Sequence, residues 1–255
     1  MDGWSHIGGN NCVRSLFCVA GWCLAALLAC RVLPRVYDRL VVRVSWVQQA
    51  HWARLIENRK DRIAAVTWQD TRPLNILAGD SHIEMGHWYE LFDGACAVRN
   101  CGLSGATIQD VSALVAAVPD RSPETVVLMC GINNIGRGDS VQSCVENYQK
   151  LLLAIHSSLK PRSIVVLSVM PVRQSPVDEK SRRMNDEVLA FNASLKPLCS
   201  ERDEIFVDVN TAVTNASGGL ASELTIDGLH LNQEGYKAIA KIIRNFLATE
   251  KGMQR

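Results

Sequence analysis

The sequence predicts an α/β protein whose core is a parallel sheet of five strands, covered by helices on both faces. Three observations carry this. Five short apolar runs recur between residues 74 and 210, helix-like stretches separate them, and no repeat, low-complexity tract or second linker interrupts residues 74–255. Buried strands alternating with helices imply strands that run parallel and bury both faces.

The elements follow in order. LNILAG (74–79) is an apolar run ending in glycine, and a helix-like segment extends from about Ile83 to Phe92. ACAVRNCG (95–102), TVVLMCG (125–131), SIVVLSVMP (163–171) and EIFVDVN (204–210) are the other four strand-like runs. Helical stretches are expected near 107–118, 141–159, 179–199 and 233–248. One domain, 73–255, is the economical reading.

Composition sets the outer bounds. With 255 residues, 47% hydrophobic and 21% charged, the chain can bury a proper core and is neither disordered nor a disulfide scaffold. A net charge of +1 gives no global basic field, so no nucleic-acid partner is expected. The charge is nonetheless uneven: residues 1–73 carry 10 Lys/Arg against 5 Asp/Glu, and residues 74–255 carry 17 against 21. A basic arm precedes a mildly acidic body. Of the nine cysteines, five lie in the body (Cys96, Cys101, Cys130, Cys144, Cys199). An odd number without CxxC pairs is neither a disulfide framework nor a zinc pattern.

Within the arm, residues 1–14 read as a tail and 15–33 as a hydrophobic helix that anchors the protein in a membrane. The run Ser15–Cys30 has sixteen residues without a charge, and Val32 and Leu33 extend it. A spanning helix needs roughly 17–25 apolar residues. A buried core helix, or lipid attachment at the lipobox-like Leu27-Leu28-Ala29-Cys30, is the competing reading. Residues 34–72 read as a basic amphipathic helical linker, with Val36, Leu40, Val44 and Val47 on one stripe and Arg35, Arg39 and Arg43 beside it. That pattern suits a membrane surface, or packing on the body. The arginine excess after the apolar run places the body in the cytoplasm by the positive-inside bias.

The chemistry should lie in the loops after the strands, because ligands bind parallel α/β sheets at the carboxyl ends. Those loops hold Gly79-Asp80-Ser81-His82, then Asn100-Cys101-Gly102-Leu103-Ser104-Gly105-Ala106-Thr107, then Gly131-Ile132-Asn133-Asn134; Asp227-Gly228-Leu229-His230-Leu231-Asn232 precedes the final helix. Each block alone is weak, and Ser81 by itself would read as a helix N-cap. The four in this order are far more specific. They resemble the SGNH (GDSL-type) hydrolase superfamily over nearly all of residues 74–252.

That resemblance implies a flavodoxin-like, three-layer α/β/α sandwich and an esterase without cofactor or metal. It also implies Ser81 as nucleophile, His230 as general base and Asp227 as the group that orients His230. Gly105, Asn133 and the N–H of Ser81 become the oxyanion donors. The physical case agrees. A serine hydroxyl needs a base, imidazole is the base tuned to neutral pH, and the ring needs a partner to fix its tautomer. Two departures from the family pattern stand out: His82 follows the serine where Leu, Ile or Asn is usual, and Asn134 replaces Asp. His51, His82, His87 and His156 have no carboxylate at a telling spacing and are assigned to surface or packing roles. Asp80 is assigned to shaping the turn.

No G-x-S-x-G elbow, GxxxxGK[ST] loop, HExxH or post-strand GxGxxG is present. The expected activity is a serine esterase acting on a small acyl ester, such as an O-acetyl group on a glycan or lipid. The alternatives are an O-acyltransferase on the same scaffold and a catalytically idle, membrane-tethered binding module.

Overall fold

The computed structural model describes residues 48–66, 71–119, 122–174 and 178–247. The expected anchor (15–33) and the basic stripe at 35–43 therefore lie outside the described residues. Among the described residues no helix is long and apolar enough to cross a membrane. The chain divides into two compact units, Met1–Leu55 and Ile56–Arg255. Of the first, only 48–55 is described, and it is helical as the beginning of α1 (48–64).

The second unit holds the sheet. Strands β1 (Leu74–Gly79), β2 (Ala97–Gly102), β3 (Thr125–Met129), β4 (Ser163–Leu167) and β5 (Ile205–Val207) match the five apolar runs. All pairs are parallel, in the order β2-β1-β3-β4-β5. This is the flavodoxin-like order, whose crevice opens where the order reverses, between β1 and β3. β1 and β3 are buried at every position, as strands covered on both faces must be.

Alternate side chains serve the two layers. Leu77, Val127, Val165 and Val207 join one core with Trp88 and Phe92 and with Tyr236, Ile239 and Ile243. The last three belong to α8 (Gln233–Ile243). On the opposite face, α4 (Ile108–Ala116), α6 (Val141–Ser158) and α7 (Glu179–Ser200) pack in series.

The single helix expected over 83–92 is instead two short ones, α2 (Ser81–Glu84) and α3 (Trp88–Leu91). The amide Nδ2 of Asn100 donates to the carbonyls of Ile83, Glu84 and Gly86 at 2.8, 3.1 and 3.3 Å. A tertiary partner thus takes the carbonyls that a continuous helix would use itself. α5 (Ile132–Gly136), on the third sequence block, is an addition that the sequence pattern did not reveal.

Candidate active site

Ser81 stands immediately beyond β1, 4% exposed, in the first turn of α2. The N-cap of that helix is Asp80 and not Ser81: the Asp80 side chain accepts the His82 N–H at 3.0 Å. The Ser81 hydroxyl is therefore spared from capping. The turn is tight because β1 meets β3 here. A Cβ on Gly79 would lie 2.1 Å from the Met129 carbonyl oxygen, so only glycine fits.

The last block brings its two polar groups onto that serine. His230 Nε2 lies 3.0 Å from Ser81 Oγ, and His230 Nδ1 lies 2.6 Å from Asp227 Oδ2. A carboxylate accepts only, so Nδ1 carries the hydrogen and Nε2 presents its lone pair to the hydroxyl. Asp227 Oδ1 accepts the N–H groups of Leu229 and His230 at 2.9 and 2.8 Å. Desolvation opposes ionisation of Asp227, but the His230 ring and these two N–H groups outweigh it and hold the carboxyl well below the usual carboxylate range. The loop is closed on itself: Thr225 Oγ1 donates to the His230 carbonyl and accepts from Gly228 N–H.

The second and third blocks form the facing wall. Gly105 has φ +79, a conformation glycine adopts without strain. The chain is braced here by Arg137 Nη2 donating to the Gly105 carbonyl (2.9 Å) and, one residue before Gly105, by Ser104 N–H donating to Glu84 Oε2 (2.7 Å). Asn133 Nδ2 donates one hydrogen to the Ala106 carbonyl at 3.0 Å. An amide nitrogen carries two hydrogens, which leaves a second for a ligand. Asn134 is fully buried. Its Oδ1 accepts Ile108 N–H, and its Nδ2 donates to Gln109 Oε1 and Asp139 Oδ2. The amide that replaces the usual carboxylate thus braces the loop with both ends.

The structure corrects the reading of His82 and gives the half-exposed His156 a partner. His82 is 2% exposed, with Nδ1 3.2 Å from Asp80 Oδ1 and Nε2 3.0 Å from the Leu229 carbonyl. His156 pairs with Glu204. Asp80 stands only two residues before His82, a spacing that could have signalled the contact; Glu204 is too far along the chain to do so. Asn100 and Arg137 were likewise not singled out, because their partners are backbone carbonyls. Among the described residues no three His, Cys, Asp or Glu side chains gather as a metal site.

Residues 76–238 match the GDSL-like lipase/acylhydrolase family, and the chain belongs to it. It is accordingly an ester-bond hydrolase. No curated protein matches the chain. Among solved structures, a protein assigned as a platelet activating factor from Streptococcus pneumonia has 22% identity and a TM-score of 0.71, over 81% of this chain and 99% of that one. A GDSL-like lipase from Bacteroides thetaiotaomicron gives 17% and 0.60, over 75% and 96%. A catalytic mutant of Axe2, an acetylxylan esterase from Geobacillus stearothermophilus, gives 17% and 0.55, over 71% and 95%. At these identities the likeness is one of fold.

Proposed function

We propose that the protein is a serine esterase that removes a small acyl group, such as O-acetyl, from a glycan or lipid. The observation that carries this reading is His230 bridging Ser81 and Asp227 at 3.0 and 2.6 Å. Ser81 Oγ attacks the ester carbonyl while its proton passes to His230 Nε2. The tetrahedral oxyanion is met by the N–H groups of Ser81 and Gly105 and by the Asn133 amide. Collapse expels the alcohol, which takes the proton from His230, and water then cleaves the acyl-enzyme by the same route. Preorganised donors of this kind contribute about 3–4 kcal/mol each. The acetylxylan esterase on the same fold supports an acetyl group.

Residues 15–33 hold this enzyme at a membrane, with the body on the cytoplasmic side. The sixteen uncharged residues and the arginines that follow support that placement.

The test is a fluorophosphonate probe on the full chain, followed by acetyl, butyryl and longer-chain p-nitrophenyl esters with and without sugar acceptors. The expected result is labelling of Ser81, lost in Ser81→Ala, with acetyl preferred. Equal labelling of Ser81→Ala removes the nucleophile assignment, and faster transfer to sugar than to water makes the protein an acyltransferase.

A further inference from the structure

We infer that His82 is a positioning residue: as a buried imidazolium clamped between Asp80 and the Leu229 carbonyl, it holds the His230 loop over Ser81 and makes activity fall at alkaline pH. This rests on the esterase reading, since it concerns the placement of the base in that reaction.

The geometry supplies the argument. Both ring nitrogens of His82 face oxygen atoms that accept: Nδ1 a carboxylate at 3.2 Å and Nε2 a backbone carbonyl at 3.0 Å. A neutral imidazole has one N–H and satisfies only one of them; the imidazolium satisfies both. The two acceptors belong to different parts of the site. Asp80 is the residue before the nucleophile, whereas Leu229 is the residue before His230, 147 positions from His82 in sequence. The ring is therefore a strap between the β1–α2 turn and the loop that carries the base. The His82 and His230 rings lie 5.8 Å apart, each tied to its own carboxylate.

The surroundings favour the charged form. Burial by itself lowers the affinity of His82 for its proton. The bond to Asp80, the charge of Asp80, the Leu229 carbonyl and the more distant charge of Asp227 oppose it, and the pKa ends above its ordinary value. The other groups that sense Asp80 are Cys130 after β3, Tyr148 on α6 and Tyr236 on α8. Burial pushes all three up, so they stay protonated while His82 titrates.

Loss of the proton has a defined consequence. The hydrogen bond to the Asp80 carboxylate is charge-assisted and is the stronger of the two. Nδ1 therefore keeps its hydrogen, and Nε2 turns a lone pair toward the Leu229 oxygen. That contact changes from attractive to repulsive, next to the backbone of His230. A displacement of about 1 Å at a reacting group can cost about 10²-fold in rate.

The experiment uses the full chain, wild type beside His82→Gln and His82→Asn, with active sites counted by fluorophosphonate. The first readout is the 15N spectrum of the histidine rings in wild type, with His82 assigned by its loss in the variant. At pH 7, where an ordinary imidazole with pKa about 6.5 is mostly neutral, His82 should show two protonated nitrogens. The second is kcat for p-nitrophenyl acetate against pH. Wild type should show an alkaline limb that follows the His82 titration. His82→Gln should run flat there, with kcat lower by about 10–100-fold at neutral pH and KM little changed. The third needs no activity: the low-field His230 Nδ1 proton should broaden in wild type as His82 deprotonates, and at every pH in the variants. A neutral His82 at pH 7, an alkaline limb that survives in a folded variant, or a His230 proton indifferent to His82 overturns the inference. Failure of Ser81 to label instead overturns the esterase reading, and the first and third readouts still decide the role of His82.

Discussion

Arg59 and Gly102 are joined across the start of the second unit: the Arg59 guanidinium donates from Nε to the Gly102 carbonyl at 2.9 Å and from Nη2 to that of Asn100 at 2.9 Å. Gly102 ends β2 and lies three residues before Gly105 in the same block. In α1, Ile56, Arg59 and Lys60 are half-buried and Ile63 is buried. The sequence places these residues in a linker, 34–72, yet the compact unit begins at Ile56. Arg59→Ala removes a charged donor from two carbonyls, worth about 2–3 kcal/mol. In a domain of this size Tm should fall by about 4–12 °C. Thermal unfolding measures it; an unchanged Tm would mean that the end of α1 is not fastened through this residue.

Asn133→Ala should lower kcat by about 10²–10³ with a smaller change in KM, because a donor aimed at the oxyanion acts mainly in the transition state. Asn133 also donates to the Ala106 carbonyl, so a purely structural role is the competing explanation. Steady-state kinetics with a burst-phase check that chemistry limits turnover separates the two. Equal kcat with reduced Tm would assign Asn133 to bracing alone.

Restoring the family's usual carboxylate at 134 should harm this protein. Aspartate keeps the acceptor for Ile108 N–H but loses the donors to Gln109 Oε1 and Asp139 Oδ2, and it sets two carboxyl groups within contact of each other. Asn134→Asp should cost about 2–4 kcal/mol, and Asn134→Asp with Asp139→Asn should recover part of it. Denaturant unfolding of the four-member cycle gives the coupling. Additivity within about 0.5 kcal/mol would show that the Asn134–Asp139 contact is not what selects asparagine.

How far the sequence reaches depends on the distance over which each feature is decided. The strands and their loops were legible because runs such as LNILAG and TVVLM bury both faces and so are apolar but for Asn75 and Thr125. The blocks that hold Ser81, Gly105, Asn133, Asp227 and His230 stood out because they follow β1, β2 and β3 or precede α8. The break between α2 and α3 was not, since it depends on Asn100, fourteen residues beyond Gly86. Arg59 was hidden for the same reason, its partners lying more than forty residues away. His82 is intermediate: half of its clamp, Asp80, is two residues away, and the other half is a carbonyl that no sequence pattern marks.

Asp227 contributes on the acid side of the stability profile. Its folded carboxyl lies below the ordinary value of about 3.9, so its contribution is present above that value and is lost as pH falls through the depressed one. His82 has the opposite sign: its contribution is full below the ordinary imidazole value and is lost as pH rises through the elevated one. The Tm gap between wild type and His82→Gln should therefore be widest at pH 5–6 and close toward alkaline pH. The gap for Asp227→Asn should be steady from pH 5 upward and close below pH 4. Because the Asp227 side chain is 49% exposed, that second gap should be small. Activity should respond far more, with kcat down by about 10³–10⁴ in Asp227→Asn, since the wrong tautomer of His230 is then stabilised. Gaps of reversed sign would overturn either assignment.

Attachment to a membrane is testable in two separable parts. Burial of the sixteen uncharged residues of 15–30 with Val32 and Leu33 resists salt, whereas attraction of Arg35, Arg39 and Arg43 to anionic lipid is screened within about 8–10 Å at physiological ionic strength. The full chain should therefore stay in the membrane fraction through high-salt and carbonate washes. Deletion of residues 1–34 should leave a protein that binds at low salt only, through the arginine stripe. Release of the full chain by salt would mean that the arginines alone attach it, and a carbonate-soluble full chain would remove the anchor. The side follows from a cysteine introduced as Gly252→Cys and probed with an impermeant thiol reagent, beside the parent protein. Protection in intact cells with reaction after lysis is expected of a cytoplasmic body. Labelling of the introduced cysteine in intact cells would put the esterase outside, where its substrate would be an exported glycan or lipid.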